Sequence, residues 1–117
     1  MNLSINYCNA PEKRVGYIYL IEIVPIGLYK IGLSVNPHSR RDTICLPEGI
    51  HGKRNIVHAI PCNDMYICEK YFHRRYKAYQ YKHYAEWFRL PSDVVKEFCA
   101  ITSMSVDGYH VNADLTR

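Results

Sequence analysis

Residues 15–24, VGYIYLIEIV, are β-branched or aromatic at most positions and apolar on both alternating faces. Such a run predicts a strand covered on both sides, near the centre of a sheet. Pro25 and Gly27 follow at positions that suit a turn, and LYKIGLS, residues 28–34, returns as the partner strand of a β-hairpin. With the turn centred between Pro25 and Ile26, or within a residue pair of it, Tyr17, Tyr19 and Ile21 share one face. Lys30 joins them there, while Tyr29 points to the other side. An ammonium buried among apolar groups alone would cost several kcal/mol, so Lys30 requires a polar partner.

The pattern then changes period. Asn36 and Pro37 read as an N-cap and first helical residue, opening a helix to about Ile44. LPEGIHGKRN, residues 46–55, has the composition of an exposed loop, and IVHAIPC, residues 56–62, alternates as a third strand. From Asn63 to Tyr79 the period is helical, with Asn63 or Asp64 as cap and Met65, Cys68, Phe72, Tyr76 and Tyr79 on one stripe. Glu69 and His73 flank that stripe one turn apart, and Lys70, Arg74 and Lys77 fall on the solvated face. A short extended EWF, residues 86–88, closes the core. A last helix follows, capped by Ser92, with Val94, Val95, Phe98 and Ile101 inward. Residues 1–13 read as a loose lead-in, and the polar stretch from about Ser103 as a frayed tail. The expected architecture is α/β (α+β), a small three-stranded antiparallel sheet flanked by helices. It forms one domain over residues 1–117, with its core at about 15–101.

Composition sharpens this only in places. A chain of 117 residues with 48% hydrophobic and 22% charged residues is expected to fold around one core. The net charge of +4 suits a polyanionic partner without demanding one. Eleven tyrosines supply apolar area with a polar tip, useful at nucleic-acid surfaces and equally at the edges of a small core. Cys8, Cys45, Cys62, Cys68 and Cys99 are odd in number and lack C-x-x-C or Cys/His ligand spacing, which argues against zinc and a disulfide framework. No signal-like or membrane-spanning run stands out. The expected setting is therefore cytoplasmic, or nucleoid- or nucleus-associated, with reduced thiols and no membrane partner.

GYIYLI, YKIG, N-P-x-x-R, a helix with E-x-x-x-H and a closing E-W-F, in that order, resemble the GIY-YIG nuclease superfamily. The likeness is to a phage-type branch, often labelled a DNA-binding domain, with lysine in place of the second motif tyrosine. Tyr19 and Lys30 stand eleven positions apart and Arg40 follows ten later, as the superfamily's motif residues do. The resemblance implies a DNA endonuclease in which Tyr19, Lys30 and Arg40 are catalytic and Glu69 holds Mg²⁺ or Mn²⁺, and His73, one turn after Glu69, is a further catalytic candidate. No residue matches the asparagine that many members carry after the metal glutamate; Tyr84, Glu86 and Trp87 occupy that stretch.

The chemistry of these residue types fits that task. A carboxylate such as Glu69 suits a hard cation that keeps waters and phosphate oxygens as its other ligands. Arg40 can clamp a phosphate oxygen with two hydrogen bonds. Tyr19 is a candidate general base if a cation such as Lys30 eases its ionisation, and a desolvated Lys30 is the alternative base. His73 is expected to support Glu69, to orient a phosphate or to line the core rim. Three functions follow. The first is a metal-dependent endonuclease, which would need a homodimer or two encounters for a double-strand break and a targeting partner or substrate shape for specificity. The second is an inactive DNA-binding or interaction module contacting phosphates through Arg40, Arg41, Lys53, Arg54, Arg74 and Arg75. The third is a structural protein, which leaves the Tyr19, Lys30, Arg40 and Glu69 set without a purpose.

Overall fold

The computed structural model describes residues 14–108 and 110–116, so the expected lead-in and Cys8 lie outside the described residues. The hairpin forms where the sequence places it. Strand β1 (Gly16–Val24) pairs antiparallel with β2 (Leu28–Ser34), and the register from Tyr17↔Ser34 to Ile23↔Leu28 is centred between Pro25 and Ile26. Gly27 takes a φ of +74° and its N–H donates to the Ile23 carbonyl at 3.0 Å, closing the turn. On the other side of β1 runs β3 (Lys53–Cys62), also antiparallel and three residues longer at its start than its alternation suggests.

The sheet does not stop at three strands. A two-residue β4 (Trp87–Phe88) pairs with the outer edge of β2. Beyond β3, strand β5 (Ile101–Asp107) joins in parallel at Cys62↔Met104, and β6 (His110–Leu115) pairs antiparallel with β5. The result is a mixed six-stranded sheet in the order β4-β2-β1-β3-β5-β6, which corrects the expected three-stranded antiparallel sheet. The supposed frayed tail is the β5–β6 hairpin. It is held because Ile101 and Met104 are buried beneath the helices, while the outward positions are polar.

Three α-helices accompany the sheet among the described residues. Helix α1 (Pro37–Arg41) starts with Asn36 Oδ1 accepting from the Ser39 N–H at 3.2 Å, but ends three residues short of Ile44. Helix α2 (Met65–Arg75) is capped by Asp64, whose Oδ1 accepts from the Ile67 N–H at 3.2 Å, and gives way to a 3₁₀ turn at Lys77–Tyr79. In α3 (Ser92–Cys99), Ser92 is the first helical residue and Pro91 holds the cap position, so the expected serine cap is absent. None of these helices is long and apolar enough to cross a membrane.

Two cores explain the unbroken apolar run of β1. On one face, Ile18 and Leu20 meet Ile31, Ile60 and the α2 stripe of Met65, Cys68, Phe72 and Tyr76, with Phe98 from α3. On the other, Tyr19, Ile21, Ile23 and Leu28 pack with Ile44 and Trp87, beneath loop residues that include Leu46, Ile50, Tyr81 and Tyr84. Each fully buried aliphatic side chain contributes about 1.5–3 kcal/mol. At the outer edge of β2, β4 pairs over only two residues, Tyr29↔Phe88 and Lys30↔Trp87.

Candidate functional site at the edge of β2

Tyr19 and Gly32 are directly opposite in the β1–β2 ladder. A Cβ placed on Gly32 would fall onto the Tyr19 ring and hydroxyl, so the ring lies flat across the glycine and carries its hydroxyl toward the edge of β2. Tyr19 is 1% exposed. Burial pushes its pKa up to about 12; Arg40 beside the hydroxyl opposes the rise, while the charges of Glu86 and Glu69 add to it. The phenol therefore keeps its proton at neutral pH.

Lys30 stands opposite Ile21 on the Tyr19 face, as the register requires. It is 7% exposed, and its partner is Glu86, with Nζ 2.6 Å from Oε1. The sequence places Glu86 merely in a core-closing segment, whereas the structure makes it the polar group that Lys30 needs. Two interactions hold the pair: the Ile31 N–H donates to the Glu86 carbonyl at 3.1 Å, and the Lys30 ammonium lies 5.5 Å from the centre of the Trp87 ring. Nothing local in the sequence signals this pair, because it exists only once β4 docks on β2.

β4 is too short to cover all of β2, and α2 fills the space. The Ile31 carbonyl, on the open edge, accepts a hydrogen bond from His73 Nε2 at 2.8 Å, which places the proton on that nitrogen. His73 thus anchors the helix to the strand. One turn earlier, Glu69 points into the same edge. Burial raises its pKa above the ordinary carboxylate value; the charges of His73 and Lys30 pull it back, and Glu86 pushes it further up. No ion pair engages Glu69 among the described residues.

Arg40 reaches the cluster from α1, which the Asn36 cap and Pro37 hold against the sheet. Its side chain is exposed, with Nη1 3.4 Å from Thr43 Oγ1. Tyr19, Lys30 and Arg40 stand on one face of the sheet and Glu69 and His73 come from α2 on the other, so the five face one another across the β2 edge, close enough for the charges of Glu69, Glu86, Lys30 and His73 to act on the group. The other basic residues are dispersed. Arg41 pairs with Asp42 at 3.1 Å, Arg54 donates to the Ile44 carbonyl at 2.9 Å, and Arg75 pairs with Glu97 at 3.0 Å. Lys53 is exposed at the start of β3, and Arg74 is exposed on the outer side of α2.

In chemical terms the edge offers one half-buried carboxylate without a counter-ion, an ion pair between a buried lysine and a half-exposed glutamate, a guanidinium open to solvent and a protonated phenol. No group of three or more His, Cys, Asp or Glu side chains among the described residues is arranged to hold a metal. Glu69 alone fits an oxygen-preferring divalent cation, which takes one or two carboxylates and completes its shell with water and phosphate oxygens.

A family model described as the T5orf172 domain matches residues 16–103, a span that runs from the start of β1 into β5. The family is one of DNA-binding, nuclease-like domains. The match corrects the resemblance drawn from the motifs: it is to this family and not to GIY-YIG, and the six-stranded mixed sheet departs from the small sheet that resemblance implied. No curated protein and no solved structure matches the chain.

Proposed function

Since the chain belongs to the T5orf172 domain family, we propose that it is a divalent-metal-dependent DNA endonuclease working at the β2 edge. The observation that carries this reading is the meeting of Glu69, without a counter-ion, with Arg40, Lys30 and Tyr19 around one partly open edge. Mg²⁺ or Mn²⁺ held by Glu69 would supply charge stabilisation to a phosphodiester under attack. Arg40 clamps a non-bridging oxygen through its planar guanidinium. The Lys30–Glu86 pair keeps a positive charge fixed beside the phosphate, where it needs no reorganisation during reaction. Tyr19 keeps its phenolic proton in its resting state, with the Arg40 guanidinium beside its oxygen. Burial first, and the charges of Glu86 and Glu69 after it, oppose its ionisation, so it would accept a proton only where substrate or a bound cation offset both. His73 holds α2 to β2, so that Glu69 keeps its place.

A second reading, a DNA-binding module without catalysis, is favoured by the high pKa of Tyr19 and by the lack of a three-ligand group among the described residues. Nicking of supercoiled plasmid by the wild type and Glu69→Ala, with Mg²⁺, with Mn²⁺ and with EDTA, separates the two. Metal-dependent nicking that disappears in the variant supports the endonuclease. DNA retention without cleavage in any condition supports the module.

A further inference from the structure

Beside the β2 edge lies a groove of about 280 Å³ between α2 and the segment before β4, lined by Lys70, His73, Arg74, Lys77, Gln80 and Ala85. We propose that this groove seats the sugar-phosphate backbone of the DNA strand that passes into the site, an inference that rests on the DNA-directed reading above.

Three observations converge on it. The first is the charge of the lining, which carries cations and no carboxylate. Arg14, Lys30, Arg41 and Arg75 each meet an acid, whereas Lys70, Arg74 and Lys77 have no ion pair among the described residues. The second is their spacing. Lys70 and Arg74, at i and i+4 on α2, lie opposite the buried stripe of Met65, Cys68 and Phe72, about 6 Å apart along the axis, and Lys77 follows in the 3₁₀ turn after the helix. Like charges at that spacing destabilise a helix by a few tenths of a kcal/mol per pair, and a row of phosphates would relieve the repulsion. The third is continuity with the site. His73 lines the groove and also donates to the Ile31 carbonyl, Lys70 follows Glu69 directly, and Ala85 precedes the Glu86 that holds Lys30. A strand lying in the groove is thus led to the cluster by its own backbone, with no base read on the way.

The test uses the full chain and fluorescein-labelled DNA, as a duplex and as a single strand, in EDTA across a series of KCl concentrations. Variants are Lys70→Gln/Arg74→Gln/Lys77→Gln together, Glu69→Ala, and Lys96→Gln on α3, which does not line the groove, as a control, each with its melting temperature. The triple variant is expected to lower the slope of log affinity against log salt by about 2–3, since each phosphate contact contributes ~0.9 on a duplex and ~0.7 on a single strand. Lys96→Gln is expected to leave the slope as it is. A triple variant with the wild-type slope, at whatever melting temperature, overturns the inference, as does a wild type that does not bind DNA in EDTA. A lowered slope with no nicking of plasmid keeps the groove and removes the endonuclease; nicking lost in Glu69→Ala with an unchanged slope does the reverse.

Discussion

Lys30 on β2 and Glu86 at the entry to β4 meet at 2.6 Å, yet the two ends differ: the lysine side chain is 9% exposed and the glutamate 47%. Removing one end is therefore not equivalent to removing the other. Without Glu86 a buried ammonium is left unpaired, whereas without Lys30 a half-exposed carboxylate simply regains water.

The stability of two single variants should reflect that asymmetry. Glu86→Ala is expected to cost about 2–3 kcal/mol, below the range for a fully buried pair because Glu86 is half in solvent. Lys30→Met keeps the aliphatic stem packed on Trp87 and is expected to change stability by less than ~1 kcal/mol. Urea unfolding of both measures the difference, and equal losses would show that the pair is not desolvated as described.

The contact between Tyr19 and Gly32 makes a second prediction. A methyl group at position 32 must push the phenol off the strand, so Gly32→Ala is expected to cost about 1–3 kcal/mol. In a Tyr19→Leu background the same change should cost less than ~1 kcal/mol, because the shorter side chain frees that volume. The double-mutant cycle reads the coupling directly. Additive losses would mean that the ring does not cover the glycine.

Why was the hairpin legible in the sequence and the Lys30–Glu86 pair not? Local signals set the first: Pro25 and Gly27 fix the turn, and alternation fixes which residues share a face. From that register alone Lys30 is placed beside Tyr19 and requires a polar partner. The partner lies 56 residues on, and only the docking of β4 selects Glu86 over Glu69. The β5–β6 hairpin was missed for another reason. Its outward positions are polar and its buried ones few, so composition resembled a tail. The Asp107-Gly108 dipeptide between Val106 and Val111 was a usable hairpin signal, and Gly108 does adopt a φ of +63°. The helices end at Arg41 and Arg75, short of expectation, and after Arg75 the buried stripe runs on through Tyr76 while the backbone passes into a 3₁₀ turn, so periodicity alone does not mark the end.

Helix α1 is only five residues long, so its cap matters to where Arg40 stands. Asn36→Ala removes the acceptor for the Ser39 N–H and is expected to cost about 0.5–2 kcal/mol, with Asn36→Ser recovering most of it. DNA affinity should fall with the first change and return with the second, because Arg40 is carried by this turn. An affinity that follows neither change would detach Arg40 from the bound strand.

The alkaline side of the stability profile tests the burial of Tyr19. Its pKa is about 10 when unfolded and about 12 when folded. Between those values the unfolded chain has released the phenolic proton while the folded chain still holds it, so the unfolded state binds fewer protons and stability falls as pH rises. Below pH 10 the contribution is fully present; it is lost progressively up to about pH 12. A shift of this size corresponds to about 2–3 kcal/mol. Tyr76, also raised by burial and by its bond to Glu97, adds a loss of the same sign, so the wild-type slope alone does not isolate Tyr19. Tyr19→Phe does isolate it. The variant keeps the ring across Gly32 and has no proton to lose, so the gap between its unfolding free energy and that of the wild type should shift in its favour between pH 10 and 12. Parallel profiles would mean that the hydroxyl is open to water and that Tyr19 ionises as an ordinary phenol.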